Sequence, residues 1–238
     1  MSGPLDGRRI ALTQPERGRI DDAVVAAGAD VVHVPLIFFA PPTDGGAALA
    51  AVAERLDDFD WLVVASATAA EAIAAVATLP PALRVAAVGA ATAGRLAECT
   101  GRTADFIPTV ARRRALVAEF PVESGSVLVL ASSRSPDELP VGLRRRGLTV
   151  EVVEAYRTDL RTPSSGELAA IVECNAMLLA SSSAVESWAA CDAAPGPPVV
   201  AIGPSTAATA AERGIDIAAT AASPSPSDVV AAIAVAIG

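Results

Sequence analysis

The strongest constraint on the fold is a rhythm of short apolar runs. Ten such runs are almost free of polar residues, and alanine-rich stretches separate most of them. They are Arg9–Thr13, Val31–Ile37, Trp61–Ala65, Val85–Val88, Thr103–Ile107, Val127–Leu130, Val150–Tyr156, Met177–Ala180, Val199–Ile202 and Ile215–Ala218. A strand with one wet face alternates apolar and polar residues; a run apolar throughout is covered on both faces. Strands of this kind separated by helical stretches indicate parallel sheets with helices on either side.

The rhythm also repeats. "DWLVVASATAAEAIAA" (Asp60–Ala75) aligns with "NAMLLASSSAVESWAA" (Asn175–Ala190), and "VAAVGAATA" with "VVAIGPSTA" at nearly the same offset. "RIALTQPERGRIDDAVVAAGADVVHV" resembles "SVLVLASSRSPDELPVGLRRRGLTVEVV" at a slightly larger one. Ten strands in two related sets predict two five-stranded doubly wound α/β domains. A chain of 238 residues is long enough for two small cores. The linker-like stretches are "PLIFFAPPTDGG" (Pro35–Gly46) and "EAYRTDLRTPSSG" (Glu154–Gly166). Two linkers leave three pieces, so the first and last can share one domain around a contiguous middle.

Composition excludes several classes. At 52% hydrophobic residues the chain is globular, with a core of Ala, Val, Leu and Ile. No apolar run reaches the roughly 18 residues of a membrane span. The start, "MSGPLDGRRIALT", passes directly into a strand and does not read as a signal peptide. Cys99, Cys174 and Cys191 are scattered and odd in number, which fits a reducing cytoplasm better than a disulfide framework. The net charge of −9 argues against a nucleic-acid partner. All 18 basic residues are arginine, so Schiff-base chemistry through lysine is excluded. The two "RRR" runs, Arg112–Arg114 and Arg144–Arg146, read as solvated helix surface. The single histidine, His33, lies in a strand with no clustered ligands around it, so no metal is expected.

Hydroxyl residues follow the strands. Thr68 with Glu71, Ser183 with Glu186, and Ser164 with Glu167 have capping-box spacing. Ser135–Pro136 and Ser225–Pro226 read as N-caps followed by proline at the first helical position. Beyond capping, Ser66, Thr92, Ser181, Ser183, Ser205 and Thr206 would gather at the carboxyl edges of two sheets. Helix N-termini there bind carboxylate or phosphate without lysine. "GAATAG" and "GPSTAA" lack the middle glycine of a dinucleotide loop, which disfavours a nucleotide cofactor. No Ser-His-Asp or Cys-His set is present. Tyr156 is the one tyrosine. It ends a predicted strand at the second linker, where a phenol can act as an acid or hydrogen-bond donor.

In this order the motifs resemble the uroporphyrinogen-III synthase family, from Ile10 to about Ile237. They are "IALTQP", "DWLVVASATAAEA", "VAAVGAATAGRL", "VEVVEAYRT", "AMLLASSSAVESW", "VVAIGPSTAATAAERG" and "TAASPSPSDVVAAI". The resemblance implies two flavodoxin-like domains joined by a two-stranded linker and interleaved in sequence. Residues 1–36 with 159–238 would form one and 39–155 the other, with linkers near 36–39 and 155–159. The active site would be the cleft between them, with Thr92 and Thr206 on opposite lips. The substrate implied is hydroxymethylbilane, a linear tetrapyrrole rich in carboxylates. The enzyme, a cyclising hydro-lyase, expels its hydroxyl, inverts ring D through a spiro intermediate and closes the macrocycle without a cofactor. Tyr156 would assist departure of the hydroxyl. Ser66, Thr92, Ser181, Ser183, Ser205 and Thr206 match family cleft positions, and Arg134 is a candidate carboxylate partner. Gln14 departs from the family, which often has arginine there. The expectation is a cytoplasmic monomer acting on a tetrapyrrole, with no membrane or nucleic-acid partner. The alternatives are a non-catalytic, ligand-sensing relative of the synthase and a bilobal small-anion binding protein.

Overall fold

The computed structural model describes residues 3–191 and 196–238. The chain opens with β1 (Arg9–Leu12), α1 (Arg19–Ala26), β2 (Asp30–His33) and β3 (Ile37–Ala40). It continues through α2 (Ala47–Ala53), β4 (Trp61–Val64), α3 (Ala67–Val76), β5 (Arg84–Ala87) and α4 (Ala90–Thr100). Next come α5 (Arg113–Glu119), β6 (Ser126–Ser132), α6 (Glu138–Arg145) and the long β7 (Thr149–Leu160). The last third holds α7 (Ser165–Val172), β8 (Ala176–Leu179), α8 (Ser182–Ala189) and β9 (Val199–Ala201). It ends with α9 (Pro204–Glu212), β10 (Ile217–Thr220) and α10 (Pro226–Ile237).

The chain divides into two compact units. Unit 1 comprises the chain through Phe39 together with Asp159–Gly238; unit 2 is Ala40–Thr158. Both are doubly wound α/β structures. The sheet of unit 1 has the order β2-β1-β8-β9-β10, with every neighbouring pair parallel. The second sheet has the order β5-β4-β6-β7-β3, with β5, β4, β6 and β7 parallel. Its β3 and β7 run across the boundaries between the units.

The uniformly apolar strands explain the layering. In β4, Leu62 and Val64 join one core with Ile73 and Leu96, while Trp61 and Val63 join another with Leu116 and Leu143. Helices α3 and α4 therefore cover one face of this sheet and α5 and α6 the other. In β1, Ile10 and Leu12 pack with Val24, Val229 and Ile233, and Ala11 packs with Val185 and Ala210. Burying each of these leucine- or isoleucine-sized side chains contributes about 1.5–3 kcal/mol, which no solvated strand face could supply.

Local sequence fixes the ends of elements. After α6 the chain reverses into β7 at Gly147, whose φ is 98°. A Cβ there would lie 2.7 Å from the carbonyl oxygen of Glu123, so only glycine fits. The expected strand Thr103–Ile107 is a single bridge, Ala86 to Phe106. Its ladder is interrupted because the Asp105 carboxylate accepts the Val85 N–H at 2.7 Å. The run Val31–Ile37 divides into β2 and the start of β3, with Val34, Pro35 and Leu36 outside both strands.

Candidate active site

In a doubly wound sheet the binding crevice lies beyond the carboxyl ends of the strands, where the strand order reverses. That point falls between β1 and β8 in unit 1 and between β4 and β6 in unit 2.

In unit 2, Ser66 follows β4 and is the N-cap of α3. Its Oγ accepts the Ala69 N–H at 3.2 Å. The phenol of Tyr156 donates to the same Oγ at 3.0 Å. A hydroxyl has two acceptor positions and one proton. Both acceptor positions of Ser66 are taken, so its own O–H is left to donate at the carboxyl edge. Tyr156 does not end its strand, as expected from the sequence, but lies inside β7. A bulge places it. Ala131 pairs with Glu154, but Ser132 pairs with Tyr156, so Ala155 is skipped. Regular alternation would point Ala155 and Tyr156 to opposite faces. The extra residue instead lets both pack on the core beneath α3.

The loop after β6 is tightly tied. Ser135 Oγ accepts the Ser132 N–H at 3.0 Å, and Ser133 N–H donates to the Tyr156 carbonyl at 3.1 Å. Ser135 therefore braces the loop and does not cap α6, whose N-cap is Asp137. Arg134 is exposed at this loop. Thr92 is half-buried in the first turn of α4, whose N-cap, Gly89, has no side chain to satisfy the first amides.

In unit 1, Ser181 is the N-cap of α8 and accepts the Ala184 N–H at 3.1 Å; Ser183 follows, half-buried. Gly203 starts α9 without a side-chain cap, with Ser205 exposed and Thr206 buried in the first turn. The duplicated "VGAATA" and "IGPSTA" loops are thus equivalent glycine-started helices with amides left uncovered. The structure brings Ser66 and Tyr156 into contact in unit 2 and sets Ser181, Ser183, Ser205 and Thr206 on neighbouring helix starts of unit 1. Thr92 begins the helix next to that of Ser66.

The expected capping boxes at Thr68 and Ser183 are corrected, since the caps are Ser66 and Ser181, two residues earlier. Glu71 is drawn instead to Arg95 at 2.6 Å and Glu186 to Arg213 at 3.8 Å. The box at Ser164 and Glu167 and the cap at Ser225 form as expected. Arg146 is likewise corrected: its guanidinium is half-buried and donates to the carbonyls of Val117, Ala118 and Phe120 at 2.6, 2.7 and 2.8 Å.

Gln14 and the buried Asp21 form a further cluster beyond β1. Gln14 Nε2 donates to Asp21 Oδ2 at 2.7 Å, and the Gly18 N–H donates to the same oxygen at 3.0 Å. Gln14 Oε1 and Asp21 Oδ1 are buried without a hydrogen-bond partner. A cavity of about 220 Å³ opens beside them, lined by Gln14, Gly18, Ile20 and Pro226 among others. Only the i,i+7 spacing of the two residues hints at this pairing in the sequence. Among the described residues, no three His, Cys, Asp or Glu side chains gather to hold a metal. His33 closes β2, its Nε2 buried and unpartnered. No helix among them is long and apolar enough to cross a membrane.

These features define a class: a two-unit, doubly wound α/β protein whose strand ends carry hydroxyls and uncovered helix amides suited to anions. Comparison then gives the family. The family profile described as "Uroporphyrinogen-III synthase HemD" matches residues 19–231, and the chain belongs to the uroporphyrinogen-III synthase family. A uroporphyrinogen-III synthase of Synechococcus elongatus is 32% identical over 177 residues, which cover 68% of this chain and 64% of that protein. The chain thus spans under two thirds of that relative's length. A mutant uroporphyrinogen III synthase of Thermus thermophilus shares the fold, with a TM-score of 0.68 at 16% identity, over 97% of this chain and 99% of that one. The synthetase of Helicobacter pylori 26695 has a TM-score of 0.63 at 16% identity, over 94% and 97% of the two chains.

Proposed function

We propose that this chain catalyses the uroporphyrinogen-III synthase reaction, closing hydroxymethylbilane with inversion of ring D and loss of water. The observation that carries the reading is the Tyr156–Ser66 hydrogen bond at the carboxyl edge of β4, in a member of this family. The substrate is an electron-rich pyrrole whose hydroxymethyl group ionises readily. Loss of that hydroxyl as water needs a proton; in this reading the phenol of Tyr156 turns its proton from Ser66 Oγ to the leaving hydroxyl, and the Ser66 O–H then donates to the phenolate. The pyrrole nitrogen supplies the electrons as the C–O bond breaks. The macrocycle can close unaided, so the remaining task is to make the correct carbon attack. That is work of orientation.

The hydroxyls of Ser66, Thr92, Ser181, Ser183, Ser205 and Thr206, with Arg134, bind the acetate and propionate groups in this reading. Uncovered amides at the starts of α4 and α9 add donors. The protein's net charge of −9 offers no long-range attraction to a polyanion, so these local donors must provide the grip. We place the reaction in the cytoplasm, carried out by a monomer without cofactor or metal. Freshly prepared hydroxymethylbilane, with products resolved by isomer, tests the proposal. The type III isomer is expected. Type I product at the spontaneous rate would overturn the proposal and leave a ligand-sensing relative.

A further inference from the structure

Unit 2 carries a second polar feature at its switch point, on the face of the sheet opposite Tyr156. A small pocket of about 30 Å³ opens there, walled by Ala65, Val129, Leu139 and Val152. Val129 and Leu139 belong to the core beneath α5 and α6, whereas Tyr156 packs on the core beneath α3. Arg113, Ser135 and Asp137 supply polar groups to the lining. Arg113 is half-buried and has no hydrogen-bond or ion-pair partner among the described residues. A guanidinium carries five donors, and those of Arg113 reach solvent with no acceptor from the described residues, open to one from outside the chain. The nearby Glu138 carboxylate is already committed to Arg114, and the exposed Asp137 makes no ion pair with Arg113.

We propose that Arg113 and this pocket bind a carboxylate on a short alkyl arm. The arm lies against Ala65, Val129 and Val152, and the carboxylate takes the planar guanidinium bidentately. The pocket is small and lined mainly by apolar side chains. Its apolar walls favour a carboxymethyl or carboxyethyl group over inorganic phosphate, which has no apolar part to bury. Resting on the function proposed above, the natural occupant is one acetate or propionate side chain of the tetrapyrrole. The sequence offered Arg113 only as the middle of "RRR". Its neighbours Arg112 and Arg114 are exposed, so the folded chain distinguishes one arginine from the other two.

Two measurements on the full chain test this. The first follows the arginine side-chain N–H resonances of ¹⁵N-labelled protein as propionate is added, with propionamide as the neutral control. One resonance, absent in Arg113→Gln, is expected to move saturably with propionate and not with propionamide. The second is turnover of hydroxymethylbilane. Arg113→Gln is expected to raise KM about tenfold, the size of one lost charge-assisted hydrogen bond, with kcat within about twofold. Arg113→Lys should recover part of the loss, and Arg112→Gln should match wild type. No movement of the Arg113 resonance, or the same movement with propionamide, overturns the site. An unchanged KM in Arg113→Gln overturns its assignment to the tetrapyrrole. Saturable propionate binding by a protein that makes no type III product would sink the function proposed above and leave the site standing.

Discussion

Replacing Tyr156 with Phe separates chemistry from architecture. The ring is retained and keeps its packing against the core beneath α3, so no cavity forms. The neutral hydrogen bond to Ser66, 3.0 Å long and partly buried, disappears. Its net contribution is about 1 kcal/mol. Ser66 still caps α3 through the Ala69 N–H, so the helix start survives. With a urea m-value of about 2 kcal/mol/M, the unfolding midpoint should fall by about 0.5 M. Turnover should respond far more. A positioned general acid is worth about 10²–10⁴-fold, so kcat should drop at least about a hundredfold. Ser66→Ala provides the complement: it loses the cap as well as the partner of the phenol, costing about 1–2 kcal/mol, while the acid itself remains. The assay is kcat by product isomer, beside urea unfolding of the same preparations. A Phe variant with native stability and kcat within about twofold of wild type would refute the role of the phenol.

Two further predictions concern stability. Arg146→Ala strips three carbonyls at the end of α5 of their donor and should cost about 2–4 kcal/mol in urea unfolding. Arg146→Lys should recover only part, because a compact ammonium cannot reproduce the planar fork. Glu167 accepts from the Ser164 N–H, Arg161 and Ser164, which together hold its carboxyl down at about 2 from 4.5. A carboxyl lowered on folding stabilises fully above its unfolded value, and that stability is lost as the pH falls through the folded one. The urea midpoint should therefore decline between about pH 4.5 and 2, more steeply in wild type than in Glu167→Gln.

Much of the fold was legible because the strands are buried on both faces. Trp61–Val64 and Val127–Leu130 leave no alternative to a covered parallel sheet. The misreadings have local causes. Asp105 looks like an ordinary residue in a strand until its carboxylate takes the amide a ladder would use. Thr68 and Ser183 have the spacing of a capping box, but the first serine after each strand reaches the helix amides sooner. Arg146 shares its sequence signature with its exposed neighbour Arg145; only the arrival of α5 beside α6 makes it a donor to three carbonyls. The candidate site follows the same division. Ser66, Ser181 and the glycine-started helices follow from position after a strand. The orientation of Tyr156 depends on a bulge against β6, which no window of local sequence encodes.

The interleaving of the units also sets a timetable for synthesis. Strand β1 emerges early, yet its neighbour β8, paired Ile10 to Ala176, is made only after all of unit 2. Unit 2 has all its strands by the time β7 leaves the ribosome, so the inserted unit can finish while its host waits half-built. Until β8 arrives, one edge of β1 is open to a wrong partner. The early fold of unit 2 shortens that exposure, because a compact insert brings the separated pieces of the host closer than an unfolded chain of the same length would.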